Sequence, residues 1–217
     1  MPISSPTSRT AVKRLAQRGV YDHATILDIL DEGLVCHMGF VVDGQPFVLP
    51  TAYARIGDRL YLHGSPGNRM LRTGRSGLGL CVTVTLVDGL VLARSAFHHS
   101  MNYRSVVLLG TGTEVDDPAE KRAAFEALVE HVAPGRYPSV RPPTEDEVKG
   151  TLVLRLPIDE GSAKVRTGPP IDDEDDYALP VWAGVIPLTV AAGAPVPDPR
   201  LDPEQGVPRY ASAYVRG

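Results

Sequence analysis

Apolar and polar positions change their period once along this chain, near residue 34. Before it, residues 1–20 are polar and mildly basic (Arg9, Lys13, Arg14, Arg18) and carry no sustained apolar face, which predicts a flexible arm. Asp22 then precedes a stretch in which Ile26, Leu27 and Leu30 share one helical face, and Gly33 follows it. An acceptor side chain at the start and a glycine at the end predict a short helix between them. From residue 34 the pattern is that of strands. Residues 34–42 are an apolar run, Asp43-Gly44 supplies a tight turn, and 47–54 run back as the second arm of a hairpin. Further strands are predicted at 59–63, 78–86, 90–95 after a turn at Asp88-Gly89, 103–110 with an extension to 115, 151–156 and 162–166.

Two helices interrupt the strands. A short one begins near Gly67. In the longer one Asp117 is the cap, Pro118 fits the first position and Glu120 completes a capping-box-like pair. Phe125, Leu128, Val129 and Val132 form its apolar face, Pro134-Gly135 ends it, and the proline-rich residues 134–143 read as a connector. Strands joined by tight turns rather than by helices predict an antiparallel meander closed into a barrel or sandwich. After Leu188, Pro195, Pro197, Pro199, Pro203 and Pro208 predict an extended tail. The expected organisation is an arm (1–20), one domain (21–188) and a tail (189–217).

Composition narrows the function classes. A hydrophobic share of 43% in 217 residues is enough for a core. A net charge of −4 and a pI near 5.9 give no electrostatic case for nucleic acid. No apolar stretch approaches the roughly 18 residues of a membrane span, and the first residues lack a secretory core, so a cytoplasmic location is expected. Cys36 and Cys81 sit in separate apolar runs without a C-x-x-C spacing, as buried reduced thiols would. Phosphate loops, dinucleotide fingerprints, H-E-x-x-H and G-x-S-x-G are all missing.

Three clusters carry candidate chemistry. In residues 63–72 a strand ends at His63, Gly64 and Gly67 loosen the turn, and a helix follows. Backbone amides, the Ser65 hydroxyl and the Arg69 guanidinium there could cradle a phosphate, although strand–turn–helix junctions of this composition are common. Residues 94–105 crowd Arg94, His98, His99, Asn102, Tyr103 and Arg104 into one connection, which needs solvent or a ligand for its donors. The adjacent histidines lack the further ligands of a metal site, so none is expected. Residues 177–187 hold the single tryptophan, Trp182, in an apolar segment that must pack on its own core, on a partner or on a planar ligand.

Taken in this order, the clusters resemble the FMN-binding split-barrel superfamily related to pyridoxamine 5'-phosphate oxidase, in its nitroimidazole-resistance-like branch. The resemblance rests on the hairpin 34–53, on 59–65 (Arg-Leu-Tyr-Leu-His-Gly-Ser) with Gly67, Asn68 and Arg69, and on 93–107. It continues through 163–170 (Ala-Lys-Val-Arg-Thr-Gly-Pro-Pro) and 180–187 (Pro-Val-Trp-Ala-Gly-Val-Ile-Pro). It implies a mainly β, α+β chain: a six-stranded antiparallel Greek-key split barrel with a few flanking helices. It also implies a homodimer holding FMN in clefts between subunits. In such proteins the strand matching residues 48–53 lies along the flavin ring, using backbone groups, which makes Pro50, Thr51, Ala52 and Tyr53 cofactor-binding candidates. His63, Gly64, Ser65, Asn68 and Arg69 match the phosphate end, and Trp182 is a further cofactor candidate. Arg69 stands where relatives often carry lysine, and it keeps the charge. The pyridoxal-phosphate-specific residues of the true oxidases have no match.

The leading expectation is an FMN-dependent oxidoreductase acting on a small molecule, with His98, His99 or Tyr103 as the proton donor and His63 a further candidate. The same barrel is used for the deazaflavin F420, whose oligoglutamate tail Lys13, Arg14 and Arg18 could hold. It is also used for haem, for which His98 or His99 would be the axial ligand. A flavin-binding protein without turnover is the third reading.

Overall fold

The computed structural model describes residues 3–202 and 204–215, so the ends of the expected arm and tail (Met1, Pro2, Arg216, Gly217) and Pro203 fall outside it. Its elements are β1 (Gly19–Val20), α1 (His23–Glu32), β2 (Val35–Val42), β3 (Gln45–Ala52), β4 (Ala54–Ile56), β5 (Arg59–Gly64), α2 (Arg69–Arg75), β6 (Gly79–Leu92) and β7 (Ser100–Thr111). They continue as β8 (Thr113–Glu114), α3 (Pro118–Val132), α4 (Glu145–Gly150), β9 (Leu152–Pro157), β10 (Gly161–Arg166), β11 (Gly184–Pro187) and α5 (Arg209–Ser212).

The strands form two antiparallel sheets. The larger runs β1-β10-β7-β6-β2-β3 with β11 added along β6, and the smaller runs β4-β5-β9-β8. The chain crosses between them four times, and both crossings from the large sheet to the small one take a single residue: Tyr53 separates β3 from β4, and Gly112 separates β7 from β8. A Cβ on Gly112 would stand 3.0 Å from the Gly74 carbonyl oxygen, so this crossing needs glycine. Neither sheet closes on itself, which makes this the split barrel that the sequence implied, with seven and four strands rather than six. Met38, Leu60, Leu62, Val82, Val106, Leu108, Leu154 and Leu156 fill the space between the sheets.

Local signals hold in most places. Asp22 accepts the Thr25 amide at 2.9 Å and opens α1. Asp117 accepts the amides of Ala119 and Glu120 at 3.1 and 3.3 Å and opens α3. Glu120, however, does not return to the cap. It accepts from Tyr61 at 2.8 Å and from Arg155 at 2.8 Å, pinning α3 to the outer face of the small sheet. The reciprocal capping box lies on the unanticipated helix α4, between Thr144 and Glu147.

Asp88-Gly89 is not a turn. β6 runs straight through it with a bulge after Val87, and the chain reverses only beyond Leu92. Gly89 is there because β11 passes so close that its Cβ would meet Val185 Cγ1 at 3.0 Å. The arm makes specific contacts with the domain. Thr7 and Arg9 both donate to Glu160, Val12 donates its amide to Tyr21 Oη at 2.8 Å, and β1 pairs with β10. The tail is exposed for most of its length, yet Tyr214 donates to the Val132 carbonyl at 2.9 Å at the end of α3. Cys36 and Cys81 are free, and burial pushes the Cys36 thiol up to about 12. Among the described residues no helix is long and apolar enough to cross a membrane.

Tyr53, at the first crossing, is fully buried and donates to the Leu30 carbonyl at 2.5 Å. Tyr53→Phe leaves that buried acceptor without its donor. It is expected to lower stability by about 1–2 kcal/mol, read as a lower midpoint in urea unfolding at an unchanged slope.

Candidate cofactor site

β3 is the edge of the large sheet, and its second side pairs with no strand among the described residues. Phe47, Leu49 and Thr51 share the face of their β2 partners Phe40, Met38 and Cys36, so Pro46, Val48, Pro50 and Ala52 face outward. Two prolines are tolerated because this is an edge. Tyr53 follows them but turns its side chain into the core, so only its backbone is available to a ligand.

β5 delivers His63, Gly64 and Ser65 beside this edge. Asn68 caps α2, accepting the Leu71 amide at 3.4 Å, and Ser65 Oγ accepts the Gly67 amide at 3.3 Å. Gly64 lets α2 fold straight back, since a Cβ there would stand 2.9 Å from Leu71 Cδ1. The Arg69 guanidinium lies over the Phe47 ring at 5.3 Å, which ties α2 to β3. Among the described residues neither Arg69 nor Arg72 has a carboxylate within ion-pair distance, whereas Arg75 pairs with Glu114 at 3.2 Å. These arginines, with Gly67, Thr73 and Ser76, border an open basin of about 900 Å³. Two uncompensated guanidinium groups beside a serine hydroxyl make an anion site by charge and by donor chemistry.

His63 belongs to a different cavity. Its ring stands edge-on to Phe125 at 6.1 Å and lines, with Ala52, Leu128, Val129, Val132 and Arg136, a space of about 330 Å³ under α3. Its Nδ1 is enclosed without a hydrogen-bond partner, and burial holds its pKa below the usual histidine range.

His98, His99 and Trp182 collect at the far end of the large sheet. β2 meets β6 at Cys81–Thr83, and β6 then runs to Leu92 before the loop holding His98 and His99. At about 3.3 Å per residue that is about 30 Å. There Asp172, with its side chain fully enclosed, accepts the Arg94 amide and guanidinium, both at 3.0 Å. Burial alone would raise its pKa, but Arg94 and the backbone amides of Arg94 and Ser95 outweigh this and hold the carboxyl below its usual range. The Arg94 guanidinium also lies 4.8 Å over the Tyr177 ring. His98 Nε2 comes within 3.3 Å of Asp173 Oδ2, but not in hydrogen-bonding orientation. The exposed His99 places Nδ1 2.9 Å from the Ser95 carbonyl oxygen.

Tyr103 lies opposite Arg166, which is buried and donates to Asn102 and to the Gly168 and Pro169 carbonyls. Trp182 is 67% exposed and folds over Gly184, where a Cβ would meet its ring at 2.8 Å. β11 aligns Gly184 with Leu92, so Trp182 stands with the histidine loop. One chain therefore brings Pro50 to Ala52 together with Ser65, Asn68 and Arg69, and holds His98, His99 and Trp182 away at the far end of β6, while Tyr103 pairs with Val87 partway along that strand. The tie between Asp172 and Arg94 was not anticipated. Asp172 reads in sequence only as the first of an acidic run.

The profile of the pyridoxamine 5'-phosphate oxidase family matches residues 22–165. The chain belongs to this family. No curated protein matches it. Among solved structures, it is similar to the flavocytochrome Anf3 from Azotobacter vinelandii, with 43% identity and a TM-score of 0.92 over 98% of this chain and 99% of that one. It is similar to the FAD and heme binding protein from Mycobacterium smegmatis, with 36% identity and a TM-score of 0.87 over 90% and 96%. A 5-nitroimidazole antibiotic resistance protein from Bacteroides thetaiotaomicron matches with 26% identity and a TM-score of 0.56 over 68% and 86%. The structural neighbours of this oxidase-family chain thus include flavin-binding and haem-binding proteins.

Within this family member, Asp172 is the anchor of the histidine loop. Its lowered pKa means the tie is intact wherever an ordinary aspartate is ionised and is released only as acid takes the pH below its lowered folded value. Asp172→Asn removes the charge at every pH. Hydrogen exchange at neutral pH is expected to speed up at residues 93–99 while the β6–β7 ladder stays protected.

Proposed function

We propose that this chain binds a flavin nucleotide, FMN in the first instance, between β3 and the β5–α2 turn. As a homodimer, it would use the flavin as an oxidoreductase on a small molecule. The observation that carries the reading is Arg69 and Arg72 bordering one basin with no carboxylate partner among the described residues, next to an unpaired sheet edge and following Ser65 in the β5–α2 turn. A phosphate monoester fits two guanidinium groups and a hydroxyl, and the backbone of Pro50 to Tyr53 fits the polar rim of a flavin ring. A bound flavin supplies the redox chemistry, while the protein binds, orients and keeps water away. The basin beyond Arg72 also has room for the longer phosphate chain of FAD, for which the Mycobacterium smegmatis relative is named.

The substrate side of the site comes from a second copy. His98, His99 and Trp182 stand at the far end of β6 in their own chain, too distant to face the flavin. The outward face of the large sheet supports such an interface, since Val35, Val41, Val48, Val87 and Val107 are all exposed on it.

A second group, haem, is favoured by the His63 cavity. Its wall is largely apolar, and the His63 ring borders it.

Arg69→Ala is expected to weaken FMN binding about 10–100-fold and riboflavin binding by less than about threefold, measured by fluorescence quenching. Equal loss for both ligands would show that Arg69 does not hold the phosphate.

A further inference from the structure

Past β11 the tail leaves the domain and then comes back to it. Leu188 is its last tie to the large sheet. Its amide donates to the Asp88 carbonyl at 3.1 Å, in a cleft that also holds Glu32, Leu34 and Val87. Tyr210 and Tyr214 tie the chain down again. Tyr210 holds Arg136 through its hydroxyl and beneath the guanidinium at 5.2 Å, and Tyr214 donates to the Val132 carbonyl at 2.9 Å. His131, the neighbour of Val132, stands 2.7 Å from the Gly33 carbonyl oxygen. Both ties therefore lie beside residues 32–34.

Between them the tail touches little of its own subunit. Every described residue from Ile186 to Arg209 is exposed. Among the described residues, the hydrogen bonds of 189–207 are all local, from the amides of Arg200 and Leu201 to Asp198 and from those of Glu204 and Gln205 to Asp202. A segment of about 20 residues, fixed at both ends in one place and extended at about 3.1 Å per residue, reaches about 30 Å out before it returns. Its chemistry is not that of a solvated loop. Val190 and Val196 are 79% and 91% exposed, and Val207 is exposed with them. Ala194, Val196 and Asp198 each precede a proline, which holds the backbone extended before anything binds it. Such a segment loses little conformational entropy on docking, and its valines gain only where another surface covers them.

We propose that tail residues 189–207 form a clasp that closes on a second copy of this chain, a proposal that rests on the homodimer reading above. The occupant follows from where the clasp is rooted. Leu188 and Val190 border the same cleft as Thr85 and Val87 of β6, and Val87 belongs to the outward apolar face with Val35, Val41, Val48 and Val107. A second copy seated on that face meets the clasp where it emerges. Two-fold symmetry then lets each copy hold the other in the same way. The prolines remove backbone donors, so the contact is made by the side chains of Val190, Val196 and Val207 rather than by an added strand.

The test places the photo-crosslinker p-benzoylphenylalanine at position 196 of the full chain, with isotope-labelled and unlabelled subunits exchanged before irradiation. Covalent dimers that join a labelled to an unlabelled chain are expected. A second variant replaces residues 191–206 by a Gly-Ser linker of about ten residues, which keeps both ties. Covering a valine is worth about tenfold or more in affinity, so self-association in sedimentation is expected to weaken at least about 100-fold. Hydrogen exchange along the β6–β7 ladder is expected to match wild type, which shows that the subunit still folds. Crosslinks confined to single chains, or self-association unchanged by the replacement, would overturn the clasp and leave the homodimer standing. A wild-type chain that stays monomeric at every concentration reached would overturn the clasp and the homodimer together.

Discussion

The chain passes from one sheet to the other across a single residue, Tyr53, whose ring is enclosed and whose hydroxyl holds the end of α1. That crossing fixes the angle between β3 and the β4–β5 hairpin, and everything at the candidate site inherits it. β3 ends in the large sheet with its outer edge unpaired. β5 begins in the small sheet and delivers His63, Gly64 and Ser65 beside that edge. Interiors packed at crystal-like density do not let such a corner slide. Gly33 shows how tight it is, since a Cβ there would meet Val84 Cγ1 at 2.4 Å and the Tyr53 hydroxyl at 2.8 Å.

Much of this was legible in the residues, for local reasons. Asp22 and Asp117 announced α1 and α3 because an acceptor side chain before an apolar face satisfies amides that the helix cannot. Alternating apolar positions with Asp43-Gly44 announced the β2–β3 hairpin, and Asp43 and Gly44 do adopt positive φ, at 50° and 77°. Asp88-Gly89 misled because its glycine answers a distant strand: β11 crowds it across almost a hundred residues, and no local pattern carries that. Glu120 misled for the same reason, since its partners Tyr61 and Arg155 lie on other strands.

The site was legible as composition and not as arrangement. Ser65, Asn68 and Arg69 stood out as a phosphate-type cluster, and the structure gathers them beside β3, with Asn68 spent on the α2 cap. His63, read as part of the same cluster, turns to another cavity because it shares with Tyr61 the face of β5 on which α3 packs. The tie between Arg94 and Asp172 could not be read at all, since its two halves are 78 residues apart. The long β6–β7 hairpin then carries the histidine loop away from the arginine pair. Neither end alone has both an anion site and groups to meet a substrate. Two copies, joined through the apolar outer face, would place one end of each beside the other.

That arrangement is tested most directly with mixed dimers. Arg69→Ala chains lack the phosphate cation and Trp182→Ala chains lack the exposed ring, so each homodimer is damaged at both of its clefts. A hybrid of the two, purified through different affinity tags, would carry one cleft with both defects and one with neither. The account predicts that the hybrid binds one flavin per dimer with wild-type affinity, measured by fluorescence titration. A hybrid whose clefts bind no better than those of the two parent homodimers would contradict it.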